Sequence, residues 1–270
     1  MKIGVIVSTY NNPKWLQIAL WALLNQTKLP DEVLIADDGS TEQTKEVIDR
    51  VAKNAPFKML HIWHEDKGFR KCDILNKAVA ASTAEYLIFI DQDCIARRDF
   101  LEAHAKEAQK GYLLSGGVVM LPMDVSNAID EQNIKSGDAF NIEWLKSAGY
   151  KANFKTSKLW KSPLFAYIMN HITPAKATWN GGNTSTWREY IIAANGFNED
   201  MKYGGEDREF GERLFNRGIK AKQLRYSAIM LHLDHKRPYK NQELIELNKS
   251  IRRNTRKNKI TVTPHGIEKL

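Results

Sequence analysis

Short apolar blocks alternate with amphipathic stretches through the first 120 residues. Five short apolar runs stand out as candidate strands, at Ile3–Ser8, Glu32–Ala36, Met59–His64, Tyr86–Asp91 and Tyr112–Met120. Strands that alternate with helical patterns predict an open, mostly parallel sheet flanked by helices. Leu16, Ala19, Leu20, Leu23 and Leu24 recur at helical spacing, with Asn12 as the capping residue and Pro13 at the first helical position. Further helices are predicted over Thr41–Lys53, Lys71–Ala81 and Asp99–Lys110.

The rhythm stops at Pro122. From there to His171 runs a polar stretch with Trp, Lys and weak periodicity, which predicts irregular helices, a mobile loop and, by position, an acceptor region. Regular structure is expected again near Thr178. Gly181-Gly182 marks a tight turn, Asp207–Asn216 reads as a helix closed by Gly218, and a last helix is expected over Asn241–Arg253.

With 270 residues, 43% of them hydrophobic, the chain can bury a full core. Cys72 and Cys94 make no disulfide framework, and no Cys/His spacing matches a zinc finger. No leader pattern opens the sequence, and no apolar run approaches the roughly 18 residues of a membrane span. A soluble, cytoplasmic protein is expected. The net charge is +8, and residues 236–270 hold ten Lys or Arg against three Glu, so the tail carries +7 of it. Such a tail is either a solvated helix face or, through Arg252, Arg253, Arg256, Lys257 and Lys259, a contact for an anionic membrane or a polyanion. No nucleic-acid partner is expected.

Ligands of open parallel sheets bind beyond the carboxyl ends of the strands, and polar clusters stand at four of those ends. They are Ser8-Thr9-Tyr10-Asn11, Asp37-Asp38-Gly39-Ser40, Glu65-Asp66-Lys67-Gly68 and Asp91-Gln92-Asp93. Singly, Asp-Asp-Gly-Ser reads as a turn into a helix cap. Together the carboxylates repel one another unless a cation or ligand donors compensate. Asp91 and Asp93 follow the apolar Tyr86–Ile90, and residues two apart on an extended chain face one way, so both could address one hard cation bound to a diphosphate. Farther on, Glu206 and Asp207 follow Gly204-Gly205 at a helix start, where the helix dipole favours ionised carboxylates; simple capping is the alternative. His232 and His235 follow the apolar Ala228–Leu231 and are candidate nitrogen ligands, or packed residues. Neither G-x-G-x-x-G after the first strand nor a P-loop is present, which disfavours dehydrogenases and P-loop enzymes.

With these motifs the chain resembles family-2 glycosyltransferases of the GT-A fold, bacterial members whose C-terminal part is similar to that of galactosyltransferases. The matching elements are Val7–Asn11, Ala36–Ser40, Gly68-Phe69-Arg70 with Asn76, Asp91–Asp93, Gly181–Asn183, Gly196–Glu199, Gly204–Asp207 and His232. The resemblance implies a Rossmann-like nucleotide-binding half over 1–121, a mixed α/β acceptor-binding and catalytic half over 122–235, and a basic helix and tail over 236–270. It implies a UDP-sugar donor held by Thr9, Tyr10, Asn11, Asp37, Asp38, Lys67, Arg70, Asn76, Asp91 and Gln92, with Arg70 and Lys71 as phosphate partners. Asp93 with His232 or His235 would bind Mn²⁺ or Mg²⁺, Asp207 would be the general base, and Glu206, Gly182, Asn183 and Tyr203 would face the sugar or acceptor. Two departures are visible: Tyr203 stands where some relatives carry Trp, and Leu75 where relatives often carry Arg.

The implied reaction is inverting transfer of a hexose or N-acetylhexosamine to a glycan or lipid-linked glycan, in cell-surface polysaccharide or lipopolysaccharide synthesis at the inner face of the plasma membrane. Competing readings are a sugar-nucleotide nucleotidyltransferase, which would open with a Gly-rich basic loop instead of Ser8–Pro13, and a polyanion- or membrane-binding module, which leaves the acidic clusters unexplained.

Overall fold

The computed structural model describes residues 1–235 and 241–269. The first half builds four parallel strands, β1 Ile3–Thr9, β2 Glu32–Asp37, β3 Lys58–Trp63 and β4 Tyr86–Asp91, in the order β3-β2-β1-β4. All four lie within one residue of the apolar runs at either end. Helices α1 Pro13–Leu24, α2 Glu42–Ala52 and α3 Lys71–Ala81 connect them. The Asn12 side chain accepts from the Trp15 N–H at 3.3 Å, and Pro13 gives up no helical hydrogen bond, so α1 starts where the cap dictates. Strand side chains alternate between two cores. Val5, Val7, Val33 and Ile88 pack with Leu16, Leu20 and Val47 on one face, while Ile6, Leu34, Leu87 and Phe89 pack with Ile74 and Val79 on the other.

Beyond β4 the sheet continues through β7 Asn183–Trp187, β6 Tyr112–Met120, β8 Lys220–His232 and the short β5 Cys94–Ala96. β7 is antiparallel to both β4 and β6, whereas β6 and β8 are parallel. One sheet thus runs through both sequence halves. Hydrophobic patterning missed β7 because its Asn183-Thr184-Ser185-Thr186 is polar yet completely buried. His104 at the end of α4 (Phe100–Glu107) explains this: its ring nitrogens meet Ser185 Oγ at 2.7 Å and Asn183 Oδ1 at 3.2 Å. Burial pushes the His104 pKa down to about 4, so a neutral ring bridges these groups. Asn183 Nδ2 also donates to the carbonyls of Gly117 and Ala228 at 2.9 and 3.1 Å, across the bulge that β6 makes at Gly116/Gly117.

The weakly periodic segment folds into short helices, α5 Met123–Ala128, α6 Glu131–Ser136, α7 Ile142–Ser147 and α8 Pro163–Ile172. At six residues each, α5, α6 and α7 are too short to show a helical period in the sequence. Val125, Ile134, Phe140 and Leu145 from this segment close a third core over Trp15, Ile95 and Leu231. Helices α9 Arg188–Ala193, α10 Glu206–Asn216 and α11 Gln242–Lys257 complete the fold, α11 running four residues past its predicted end.

The basic tail presents a solvated face and packs its other side on the fold. Asn248 on α11 is buried and donates to the carbonyls of Lys202, Tyr203 and Gly204 at 2.9, 3.3 and 3.2 Å. Arg252 binds Glu212 of α10 at 2.6 Å, and Thr255 Oγ1 donates to Glu209 at 3.0 Å. Asn195 then holds the carbonyls of Thr263 and Glu268 at 2.8 Å each. Arg252 is therefore committed inward, while Arg253, Arg256, Lys257 and Lys259 stay exposed. Positions 236–240, where the charged run begins, lie outside the described residues. Among the described residues no helix is long and apolar enough to cross a membrane.

A Cβ at Gly116 would fall 2.1 Å from Asn183 Oδ1. Gly116→Ala is expected to displace Asn183 and destabilise the fold by about 1–3 kcal/mol, measured by urea unfolding.

Candidate active site

The ends of β1, β4 and β8 and the start of α10 surround a cleft of about 890 Å³. Parallel register sets its floor. Ser8 pairs with Asp91, and Ser8 Oγ donates to Asp91 Oδ1 at 2.5 Å. Lys71, at the start of α3, reaches the same oxygen at 2.8 Å. Burial pulls the Lys71 ammonium down, but the charges of Asp91, Asp207 and Glu206 outweigh it and hold the group well above the usual lysine range.

Asp93 does not share these partners. Gln92 and Asp93 form a turn between β4 and β5, so the two-residue alternation of an extended chain does not apply, and the two carboxylates acquire separate surroundings. Asp93 Oδ2 lies 2.8 Å from His235 Nε2 and 3.6 Å from His232 Nε2, with the two imidazoles stacked 5.6 Å apart. Burial pushes the Asp93 carboxyl up, but the His235 hydrogen bond and the charges of His232, His235 and Lys71 outweigh it and hold it below the usual range. Cys94, opposite His232 in the β5–β8 ladder, places its thiol in the same cluster, with Asp93, Cys94 and His232 ligand atoms within 4.8 Å of one another. Burial, then the Asp93 and Asp91 charges, push that thiol well up, so it enters as a neutral group. One carboxylate and two imidazoles, with His232 Nδ1 buried and unpartnered, are a donor set that fits a divalent ion such as Mn²⁺.

The opposite end of the cleft is polar and tightly knit. Thr9 Oγ1 donates to Gln92 Oε1 at 2.5 Å, Gln92 Nε2 donates to the Tyr10 carbonyl at 3.1 Å, and the Tyr10 hydroxyl donates to Asp66 at 2.8 Å. Asn11 takes a left-handed φ of 43° and accepts from the Thr41 N–H at 2.9 Å. Asp38 binds His64 at 2.7 Å and the Arg70 N–H at 2.9 Å; burial outweighs both and raises its pKa.

Asp207 and Glu206 open α10 after Gly204 and Gly205, whose φ values are 110° and 105°. The Glu206 carboxylate turns back to accept the Gly204 N–H at 2.8 Å. Asp207 lies over Gly181, where a Cβ would meet its Oδ2 at 2.4 Å; only glycine leaves room for it. Burial pushes the Asp207 pKa up to about 7, Lys71 opposes the shift, and Glu206 and Asp91 add to it. The helix dipole that favoured ionisation is thus outweighed, and the carboxyl titrates near neutrality. Among the described cleft residues, the buried atoms without a partner are Asp207 Oδ1 and His232 Nδ1.

The sequence of residues 4–169 matches the model of glycosyl transferase family 2, and residues 169–236 match a model described as the N-terminal domain of galactosyltransferase. The chain belongs to glycosyltransferase family 2. It is 27% identical over 234 residues to validoxylamine A glucosyltransferase of Streptomyces hygroscopicus subsp. limoneus, covering 80% of this chain and 48% of that protein. It is 26% identical over 236 residues to chondroitin synthase of Escherichia coli, covering 80% of this chain and 32% of that one. The chain therefore spans about half or less of the length of these relatives. Among solved structures it is similar to S. aureus TarS 1-349 in complex with UDP-GlcNAc, with a TM-score of 0.61 at 17% identity over 93% of this chain and 66% of that one. It is also similar to mannosyltransferase PcManGT from Pyrobaculum calidifontis in complex with GDP-Man and Mn²⁺, with a TM-score of 0.58 at 20% identity over 88% of this chain and 58% of that one. The fold is that of the GT-A glycosyltransferases.

Thr9, Tyr10, Asn11, Asp38, Asp91, Gln92, Asp93, Tyr203, Glu206, Asp207, His232 and His235 all line the one cleft. Gly182 backs onto it, with Asp91 Oδ2 at 2.8 Å from its Cβ direction. Other expected site residues are used elsewhere. Asp37 clasps the Ser40 N–H and His61 Nε2, each at 2.8 Å. Lys67 is exposed and pairs with Glu65 at 3.0 Å, and Arg70 forks onto Asp73 through Nε at 2.7 Å. Asn76 is buried against Phe197, accepting its N–H at 2.7 Å and donating to its carbonyl at 2.9 Å. Asn183 belongs to the sheet interior. Of the two basic residues expected at the phosphates, Lys71 alone reaches the cleft. The sequence reading missed His64, Cys94 and Asn248. His64 was legible in principle, because β2–β3 register sets Asp37 beside Trp63 and hence Asp38 beside His64.

Lys71→Met would leave Asp91, Asp207 and Glu206 facing one another without their ammonium. The Asp207 titration is expected to move above its present value near 7, read as an upward shift of its carboxyl ¹³C resonance midpoint.

Proposed function

We propose that this chain is a metal-dependent, inverting glycosyltransferase that moves a hexose or N-acetylhexosamine from a UDP-sugar to a glycan or lipid-linked glycan acceptor. Its setting would be cell-surface polysaccharide or lipopolysaccharide synthesis at the cytoplasmic face of the membrane. Residues 1–121 supply most of the donor side and 122–235 the acceptor and catalytic side. The observation that carries this reading is the unequal use of the cleft carboxylates. Asp38, Asp91, Asp93 and Glu206 are each held by hydrogen bonds or ion pairs, whereas Asp207 keeps a buried oxygen unengaged.

One free base suits a single displacement. The acceptor hydroxyl gives its proton to Asp207 Oδ1 as its oxygen bonds to the anomeric carbon. The bond from that carbon to the diphosphate oxygen breaks on the opposite face, so configuration inverts and UDP departs. Asp93, His232 and His235 would hold the divalent ion, which stabilises charge on the departing diphosphate when bound. Lys71 keeps Asp91 fixed beside that site and moderates the repulsion felt by Asp207. Thr9, Tyr10, Gln92 and Asp38 would face the nucleoside, with a carboxylate toward its imide, and Asp91 would face its ribose.

Two variants test this. Asp207→Asn is expected to lower kcat by roughly 10²–10⁴-fold with donor affinity retained, since an amide keeps the shape but cannot take a proton. Because the folded pKa lies above the ordinary value, Asp207 is protonated on the acid side, and kcat/KM should rise with pH through a limb near 7 that the variant lacks. Stability runs the opposite way: the folded carboxyl holds its proton up to about 7 whereas the unfolded one ionises in the usual carboxylate range, so stability is lost as pH rises through that interval, and Asp207→Asn should unfold at a higher temperature than the parent at pH 8. Asp93→Ala should abolish Mn²⁺-dependent turnover and lose Mn²⁺ binding by calorimetry while its circular dichroism is unchanged; full turnover of that variant in excess chelator would sink the metal assignment.

A further inference from the structure

Helix α8 is apolar on two sides. Its inner face packs on β8, where Phe165 meets the Tyr226 ring at 5.7 Å and Asn170 Nδ2 donates to Ser227 at 2.8 Å. Its outer face carries Leu164, Tyr167, Ile168 and Ile172, which are 70%, 64%, 44% and 65% exposed. The spacing i, i+3, i+4, i+8 makes them one continuous stripe. Phe154 and Trp160, 75% and 57% exposed, extend it on the N-terminal side, and Trp160 leans on Phe165 at 5.0 Å. A helix that is apolar all round is normally buried, so this face needs a covering.

Charge says what kind. From Trp144 to Trp187 the chain has six lysines and no acidic residue. Lys151, Lys155, Lys161 and Lys176 are exposed and meet no carboxylate among the described residues. An apolar, aromatic stripe rimmed by unpaired lysines matches the acyl boundary and headgroups of an anionic bilayer. Ten residues of helix reach only about 15 Å, half of a hydrocarbon core, so α8 would lie in the membrane plane.

We propose that α8 with the preceding Phe154–Trp160 turn is an in-plane docking face for anionic lipid. The exposed basic residues of α11 are not its main contact. The inference is independent of the transfer reaction, and its test uses no substrate.

Co-sedimentation of the full chain with phosphatidylglycerol/phosphatidylcholine vesicles and with pure phosphatidylcholine vesicles decides it. The parent should bind the anionic vesicles better, and less so at high salt. The triple change Leu164→Gln, Ile168→Gln, Ile172→Gln should weaken that partition by roughly tenfold or more, as loss of a buried apolar stripe requires. Lys155→Glu with Lys161→Glu should weaken it too, giving a second variant whose substitutions touch no core residue. Arg253→Gln, Arg256→Gln, Lys257→Gln, Lys259→Gln should bind nearly as the parent does. Thermal melts of each variant establish folding. Failure of the parent to bind, equal binding by the folded α8 variants, or loss confined to the α11 variant overturns the proposal. So does a parent dimer in analytical ultracentrifugation that the α8 triple change dissociates, which would make this face a protein interface.

Discussion

A single ammonium holds the centre of this cleft together. Lys71 meets Asp91 directly, and its charge also acts, ahead of that of Arg208, on Asp207, which approaches with Glu206 from the other half of the chain. Three carboxylates this close and this buried would otherwise repel one another into protonation or displacement. The balance is incomplete by design of the geometry: Lys71 is bonded to Asp91, so Asp207 feels its charge but not its hydrogen bond. That difference leaves one carboxyl titrating near neutrality beside another that is firmly held.

Close approach of the two halves depends on missing side chains as much as on present ones. Asp207 lies against Gly181, Asp91 against Gly182 and Asn183 against Gly116, each nearer than any Cβ would allow. The carboxylates come from α10 and β4, while the glycines come from the turn before β7 and from β6. Gly182 and Gly116 therefore set the distance between halves, Gly181 lets α10 close on the turn before β7 within the second half, and Asn248 of α11 holds the three successive carbonyls of residues 202–204 that lead into Glu206 and Asp207.

The first half of the chain was legible because its strands are largely apolar and its helices amphipathic, so β1 to β4 and α1 to α3 fall close to their predicted bounds. The cleft membership of Thr9, Tyr10, Asp38, Asp93, Asp207 and His232 was legible too, since each stands at a strand end or helix start. Partners that depend on register and on chain reversal were not. Asn76 and Arg70 carry polar groups suited to a ligand, but both spend them on neighbours, one on Phe197 and one on Asp73. Strand β7 hides its burial in polar residues, two of which, Asn183 and Ser185, meet His104 across some 80 positions that no local pattern can reveal. The docked side of the basic tail was not legible either, because net charge reports sign and not which face of a helix is packed inward.

The strand order has a consequence for biosynthesis. Both neighbours of β6 are β7 and β8, which follow it in the chain. A ribosome that has delivered Tyr112–Met120 has delivered an apolar strand with neither edge covered, and it must synthesise past residue 187 for the first partner and past 232 for the second. The four parallel strands can form early, but β6 waits as an open template for any other extended chain. Expression at low temperature or with added chaperone should therefore raise soluble yield through this one interval of synthesis more than through any change in the stability of the finished protein.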